Sequence, residues 1–187
     1  HSTSGNQVFG SMTIGSETVN VTYTGDFTGV QLNNTGTFYY TTASTYQSAN
    51  IDNAPTTSDI IRLVGGNQNV NTLTFDKALI DVVMPIVSLG QGGTPAQFAF
   101  NTPFSIESNG PSFWGNGPLS QSGNTLTGEE GHGSLMFSGS HTSISWTNPV
   151  REDWYGFTVG AVEAVPEPGT MAALGLGLAA LGRRRRK

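Results

Sequence analysis

The amino-acid sequence predicts an all-β fold, a single β-sandwich of jelly-roll type, with a short hydrophobic helix near the C-terminus. Three observations lead to this prediction. Short segments alternate apolar and polar residues with a period of two, as Val19, Val21 and Tyr23 do. Turn-forming residues separate these segments, and the 187 residues include 25 Gly and 9 Pro. Before the C-terminal end, no segment repeats apolar residues with the period of a helix.

The first part of the chain is predicted to form two hairpins. Residues 8–14 and 19–24 are expected to pair across a short turn. Residues 27–32 and 37–42 are expected to form the second hairpin. The turn between them, residues 33–36, is rich in Asn and Gly, which tolerate positive φ.

The middle of the chain begins with a polar, weakly patterned segment, residues 43–59, which we predict to be a long loop. Strands are expected at residues 60–64 and 70–75. Residues 79–89 are almost continuously apolar and favour β structure, with a central strand around residues 85–89. Pro85 has no backbone N–H, so a bulge or an edge is expected there.

Short strands are also predicted throughout the second half. They lie at residues 96–100 and 103–107, near Leu119 and Leu126, and at residues 135–137, 144–146 and 154–162. Phe157 alternates with Val159 and Trp146 with Ile144, so Phe157 and Trp146 are expected in the core.

The last 22 residues differ from the rest in composition. Pro166, Glu167 and Pro168 come first, and residues 171–181 contain only Met, Ala, Leu and Gly. As a helix, that run would span roughly 16 Å, about half of a bilayer core. The chain ends on a basic cluster, which the positive-inside rule keeps in the cytoplasm: Arg183, Arg184, Arg185, Arg186 and Lys187.

These three parts, in this order, resemble the PEP-CTERM sorting signal of Gram-negative bacteria. The resemblance divides the chain into a β-sandwich domain, residues 1–164, and a sorting signal, residues 165–187. It implies export, transient insertion of the C-terminal segment in the inner membrane, processing by an exosortase-type transpeptidase, and delivery to the cell surface or outside. It also implies secretion tied to exopolysaccharide or biofilm production.

The domain itself resembles PEP-CTERM cargo proteins to which no activity is assigned. The resemblance is carried by residues 101–106, 123–128, 130–133, 144–148 and 154–160. It bears on architecture and not on activity.

Charges are unevenly distributed along the chain. Of 13 acidic and 8 basic residues, one acid and five bases lie in the last 22 residues, which leaves −9 on residues 1–165. Nucleic acids require basic patches, so we expect no nucleic-acid binding by the domain. There is no Cys and hence no disulfide or thiolate metal site. Residues 1–7 contain no apolar signal core, and we expect that a signal peptide was removed before His1.

Glu129, Glu130 and His132 form the most conspicuous polar cluster in the sequence. Two carboxylates across a cleft hydrolyse glycosidic bonds, but adjacent residues of a strand point to opposite faces. The glycines around these residues indicate a solvated turn. His132 and His141 lie too far apart in sequence for a zinc motif, and no nucleophile elbow is present. We therefore predict no catalytic residue.

Calcium is the ion that suits this composition best, because carboxylate and carbonyl oxygens are its preferred ligands. The candidate ligands are Asp52, Asp59, Glu107 and Asp153. No Asp-x-Asp-x-Asp spacing supports them.

Trp114 is the candidate ligand-binding residue. It lies between Gly110-Pro111 and Gly115, so we expect it in an exposed loop, where its ring could stack on a sugar. The alternative is that the ring only anchors its own loop.

We expect a non-catalytic component of the cell surface or extracellular matrix, associated with exopolysaccharide in a biofilm. The alternative is a carbohydrate-binding module of that matrix, and the third hypothesis is a glycan-active enzyme. An exposed aromatic row would favour binding, and two carboxylates facing each other in a cleft would favour catalysis.

Overall fold

The computed structural model describes residues 1–164, which fold into 13 antiparallel strands and one short 3₁₀ helix, Ala43–Thr45. The strands are β1 (Ser2–Ser4), β2 (Gln7–Ile14), β3 (Glu17–Thr24), β4 (Gly29–Gln31), β5 (Ile60–Leu63), β6 (Asn71–Leu89), β7 (Ala96–Phe100), β8 (Ser105–Asn109), β9 (Leu119–Ser122), β10 (Thr125–Gly128), β11 (Gly131–Thr147), β12 (Tyr155–Phe157) and β13 (Gly160–Ala164). The hydrophobic helix predicted within residues 165–187 lies outside the described residues.

Two long strands, β6 and β11, run antiparallel through the middle of the domain. The first part of β6 pairs with β3, which continues the sheet through β2 to β1. The second part of β6 pairs with β12 and β13. On the other side, β11 pairs with β8 near its start and with β7 near its end. All strands therefore belong to one open sheet built around this pair.

The sheet folds back on itself along β6 and β11. Trp146 is paired with Asn71, and Phe157 with Ile86, yet the two rings lie only 5.3 Å apart between centroids. Asn71 and Ile86 are 15 positions apart in β6, which is roughly 50 Å along a straight strand. The two halves of β6 must therefore lie in two facing layers.

The bend is visible in the backbone of both long strands. Asp81 in β6 has φ of 52° and Gly139 in β11 has φ of 92°, values that interrupt a regular strand. The Asp81 carboxylate accepts a hydrogen bond of 2.7 Å from the Gly139 N–H. The pairing of β11 with β6 shifts register between Phe137 and Ser140. The bend is thus built from matched irregularities on neighbouring strands.

An aromatic core fills the space between the layers. Phe98 contacts Tyr155 and Phe157 at 5.5 and 6.4 Å between ring centroids, and Tyr23 contacts Phe157 at 5.7 Å. Phe157 is fully buried and Trp146 is only 2% exposed. The core positions predicted for Trp146 and Phe157 are confirmed.

Pro85 lies within β6 and is paired with Ser134 of β11. Its carbonyl faces the other neighbour and accepts a hydrogen bond of 3.2 Å from the Thr158 N–H. Pro85, which has no backbone N–H, therefore lies opposite the gap between β12 and β13. The central strand predicted here is confirmed, but the bulge or edge expected at Pro85 is wrong, because Pro85 keeps a continuous register with β11 and β6 has a neighbouring strand on each side.

The second predicted hairpin is wrong. The turn exists, with φ of 57° at Asn33 and 56° at Asn34, but residues 37–42 form no strand. Instead β4 pairs with β5, which follows about thirty residues later in the chain. The Gln31 side chain contributes to this difference, because it donates hydrogen bonds to the carbonyls of Thr37 and Ser58 and binds the returning chain in place of a ladder.

The predicted all-β fold is confirmed. Its two facing layers are sandwich-like, although hydrogen bonds join them into one sheet. The jelly-roll order stays a prediction. Within residues 1–164, no helix is long and apolar enough to cross a membrane.

Candidate functional site

Four aromatic side chains form one cluster at the surface: Tyr39, Phe113, Trp114 and Trp154. We call them the aromatic cluster. Trp114 is 45% exposed and Phe113 is 42% exposed, so two large rings face solvent side by side. The exposure predicted for Trp114 is confirmed. Exposed rings of this size on a monomer commonly mark an interaction site.

Trp114 is at the centre of the cluster. Its ring is stacked on Tyr39 at 4.9 Å, with an interplanar angle of 25°. Trp154 and Phe113 meet it edge to face at 4.4 and 4.7 Å. Trp114 therefore anchors its loop, as the alternative interpretation expects, and still presents nearly half of its surface.

Hydrogen bonds hold the loop that carries Trp114 in place. Ser112 donates from its hydroxyl to the Tyr39 carbonyl at 3.1 Å and accepts from the Tyr46 hydroxyl at 2.8 Å. The Thr45 hydroxyl donates to the Pro111 carbonyl at 2.5 Å. The exposed rings thus stand on an ordered support, so binding would require little further ordering.

Tyr46 also explains why residues 43–59 are ordered despite their polar sequence. Tyr46 is fully buried and packs with Tyr40, Ile60 and Val87 in a second, smaller core. Its carbonyl accepts a hydrogen bond of 3.0 Å from the Ser134 hydroxyl. The predicted long loop is thus real, and it supports the aromatic cluster.

Glu152 lies directly beneath the cluster. One carboxylate oxygen accepts a hydrogen bond of 2.9 Å from the Trp154 N–H. The other oxygen is buried and has no hydrogen-bond partner among the described residues. Burial raises the pKa of Glu152 to about 7, and the negative charge of Glu130 adds to that rise.

Glu130 approaches the cluster from the turn between β10 and β11. Its backbone has φ of 68°, and its carboxylate accepts a hydrogen bond from the Ser88 hydroxyl. The side chain lies against Gly115, where an added Cβ would come 2.8 Å from its Cγ. Glu129 next to it is exposed. The turn predicted here is present, but it is only partly solvated, because Glu129 is exposed while Glu130 is half-buried and His132 is buried.

His132 is fully buried behind Glu130. Its Nδ1 lies 3.1 Å from the backbone N–H of Ser88 and accepts from it, which assigns the ring proton to Nε2. Burial lowers the pKa of His132 to about 4, so the ring is neutral at pH 7. The Ser88 hydroxyl donates to Glu130 and not to His132, so the three residues are not arranged as a serine hydrolase relay.

Three of the four calcium candidates, Asp59, Asp153 and Glu107, have side-chain partners of their own. Asp59 accepts from the Asn34 N–H at 2.7 Å and lies 3.2 Å from His1. Asp153 is paired with Arg151 at 3.1 Å, and Asp52 is exposed. Within residues 1–164, no three His, Cys, Asp or Glu side chains are grouped so that they could hold a metal ion. Calcium binding stays a prediction.

Glu107, the fourth candidate, connects β8 to the long loop. Its carboxylate accepts hydrogen bonds from Ser105 at 2.6 Å and from Asn50 at 2.9 Å. These bonds lower the pKa of Glu107 below its ordinary value. Its contacts are those of a side chain that fastens a loop.

Comparison with known protein families gives one match. The model of the PEP-CTERM protein-sorting motif matches residues 164–187. The chain carries a PEP-CTERM sorting signal. The resemblance of the C-terminal residues is therefore confirmed, and Pro166, Glu167 and Pro168 lie within the match, as does the basic end. Neither the comparison with curated proteins nor that with solved structures gives a match.

The sorting signal determines where this protein goes. PEP-CTERM proteins are exported, held transiently in the membrane by the C-terminal segment, processed by exosortase-type machinery, and released to the cell surface or outside. The aromatic cluster is therefore presented outside the cytoplasm.

Sequence reasoning found Trp114 but not the other members of the site. Phe38-Tyr39-Tyr40 and Phe113-Trp114 are runs of adjacent aromatic residues within segments predicted to be turns or short strands. Adjacent rings in an extended chain cannot all face one core, since alternate side chains point to opposite sides. That pattern was the available signal for an exposed aromatic surface.

Proposed function

We propose that this PEP-CTERM protein is a non-catalytic component of the cell surface or extracellular matrix, and that it binds exopolysaccharide through the aromatic cluster. The observation that carries the proposal is the pair of exposed rings, Phe113 and Trp114, on an ordered support. Sugar rings present apolar C–H faces that stack on aromatic rings, while their hydroxyls bind polar groups nearby. The Glu130 carboxylate, whose side chain lies against Gly115, supplies hydrogen-bond acceptors of that kind.

The position of the sorting signal supports the proposal. Ala164, where the signal begins, is paired with Leu79 in β6. Gly156, two residues after Trp154, is paired with Val87 of the same strand. Asp81, where β6 bends, lies between these two positions. The aromatic cluster and the start of the signal are therefore attached to β6 on opposite sides of its bend.

The proposal is tested by glycan binding. The full chain is applied to an array of bacterial polysaccharides beside two variants, Trp114→Ala and Val70→Ala. Val70 is an exposed apolar residue outside the cluster and serves as the matched control. We expect binding by the wild type and the control, and a loss of at least about tenfold for Trp114→Ala. Equal binding by all three would exclude the cluster as the binding surface.

A second candidate function, a glycan-active enzyme, is supported by the Glu130–Glu152 pair. Burial raises the pKa of Glu152 to about 7, the negative charge of Glu130 adds to that rise, and a carboxyl that stays protonated near pH 7 can act as a general acid in the hydrolysis of glycosides. The two functions can be distinguished by whether the bound polysaccharide is cleaved. Release of reducing ends from a bound polysaccharide, lost in Glu152→Gln, would favour the enzyme, whereas binding without release supports the non-catalytic proposal.

A further inference from the structure

Two carboxylates near the aromatic cluster, those of Glu130 and Glu152, form no ion pair within residues 1–164. The ion pairs of the described residues join His1 to Asp59, Lys77 to Glu17 and Arg151 to Asp153.

Glu152 is the more deeply buried of these two carboxylates. It is only 5% exposed, and one of its oxygens is buried without a partner among residues 1–164. A buried carboxylate oxygen without a donor or a cation is unfavourable, and the negative charge of Glu130 increases the cost. A positive charge bound beside Glu130 would relieve both effects. The same burial favours the protonated form of Glu152 and therefore raises its pKa to about 7.

We propose that this site selects polysaccharides of amino sugars whose nitrogen is free and protonated. The inference rests on the proposed function and specifies its ligand. An ammonium group is attracted to the faces of Trp and Tyr rings and forms strong, charge-assisted hydrogen bonds with carboxylates. The aromatic cluster supplies the rings, and the half-buried Glu130 side chain lies against Gly115, the residue that follows Trp114. The sugar ring stacks on the exposed rings while its ammonium group faces Glu130.

Other glycans fit the site less well. An anionic polymer would bring negative charge to Glu130 and Glu152 within a domain that already carries −9 over residues 1–165. A neutral glycan stacks on the same rings but leaves the carboxylates without a cation. The expected order of affinity is therefore cationic, then neutral, then anionic.

The test uses two probes that share a sugar backbone and differ in whether the nitrogen is acetylated and neutral or free and protonated. They are a β-1,4-linked hexamer of N-acetylglucosamine, which is neutral, and its fully de-N-acetylated counterpart, which is cationic at pH 6. Binding to the full chain is measured by calorimetry at low and at high salt. We expect the cationic hexamer to bind at least about tenfold more tightly at low salt, and the difference to shrink as salt screens the charges.

Matched variants locate the effect. Glu130→Gln keeps an acceptor for the Ser88 hydroxyl but removes the charge, and it should bring the cationic hexamer close to the affinity of the neutral one. Glu129→Gln removes the same charge at the exposed neighbouring position and should retain most of the preference. The thermal midpoint of each variant is recorded, so that loss of fold is separated from loss of charge.

The outcomes separate the two proposals. If neither hexamer binds and no glycan of the array does, the proposed function itself fails. If both hexamers bind equally, or if Glu130→Gln leaves the preference intact, the protein binds glycans but selection by ammonium is wrong. A preference for the cationic hexamer that depends on Glu130 supports the inference.

Discussion

Trp114 and Trp154 join two distant segments of the chain, with ring centroids 4.4 Å apart and an interplanar angle of 68°. Trp114 belongs to the loop before β9, and Trp154 directly precedes β12. Because Glu152 accepts a hydrogen bond from the Trp154 N–H, the same contact sets the distance between the exposed rings and the buried carboxylate. The ring contact therefore holds the loop that carries Trp114 against the segment that carries Glu152.

The first prediction concerns the energy of this contact. A double-mutant cycle with Trp114→Ala and Trp154→Ala should give a coupling of about 0.5–1.5 kcal/mol in the free energy of unfolding, as edge-to-face rings do. Urea denaturation of the four proteins measures it. The pair Trp114 and Val162, which is exposed on β13, is the control and should show no coupling. A coupling between the tryptophans below about 0.3 kcal/mol contradicts the prediction.

The second prediction concerns the contribution of Phe157 in the core to the free energy of unfolding. This side chain is fully buried and contacts rings of Tyr23, Phe98 and Trp146. Phe157→Ala should therefore cost about 3–5 kcal/mol of unfolding free energy, because it removes a large apolar side chain and leaves a cavity. Val162→Ala, at an exposed position, should change it by less than about 0.5 kcal/mol. A loss below 1 kcal/mol for Phe157→Ala would mean that the core is packed differently.

Local patterns in the sequence were sufficient to predict where these strands lie. Val19, Val21 and Tyr23 alternate in sequence, and all three are buried in β3 with more exposed neighbours between them. The nearly continuous apolar run gives the second half of β6, where Val82 to Leu89 are all buried. A strand covered on both faces needs no alternation, so that run correctly indicated a central position.

Pairings between distant strands were not predictable in the same way. The partner of β4 is β5, and nothing in either short segment specifies the other. The fold-over of β6 depends on matched irregularities at Asp81 and Gly139, which are far apart in sequence. The site has the same origin, since Glu130 and Glu152 come from separate loops and the charge of Glu130 acts on Glu152 only in the folded sheet. Trp114 was accessible to sequence reasoning because its own neighbours, Gly and Pro, indicate a loop.

Two buried titratable groups near the site should change the free energy of unfolding in opposite directions as the pH changes. His132 has a folded-state pKa of about 4 against an ordinary 6.5, so the unfolded chain binds its proton first and stability is lost as pH falls from 6.5 to 4. Glu152 has a folded-state pKa of about 7 against 4.5, so the folded state keeps a proton that the unfolded chain releases. Its contribution is fully present below pH 4.5 and is lost as pH rises through 7.

Single variants should separate these two contributions. In Glu152→Gln the unfolding free energy should fall on acidification from pH 7 to pH 5, because only the His132 effect is left in that range. In His132→Gln it should rise over the same range. Each change should amount to roughly 2 kcal/mol, since a shift of one pKa unit corresponds to about 1.4 kcal/mol. Urea titrations at pH 5, 6 and 7 measure the changes, and parallel pH profiles for the two variants would show that neither group is perturbed as described.

The sorting signal predicts the mass of the mature protein. Exosortase-type processing should remove the basic end, so protein released by the native host should lack Arg183 to Lys187, with cleavage near Pro166 to Pro168. Intact-mass spectrometry of released and membrane-bound fractions measures this directly. A full C-terminus on the released protein contradicts the prediction.

The final prediction concerns acidic exopolysaccharide. With a formal charge of −9 on residues 1–165, the domain should repel an anionic polymer at low salt, and any binding should require a divalent cation between the two negative partners. Calcium is the cation that carboxylates on both sides would hold best. A pull-down of the full chain with purified acidic polysaccharide should therefore give calcium-dependent retention that a chelator abolishes. Retention of a neutral glycan, which stacks on Trp114 without a bridging ion, should survive the chelator and be lost in Trp114→Ala. Chelator-insensitive retention of the acidic polymer would mean that local basic groups, and not the net charge of the domain, govern its binding.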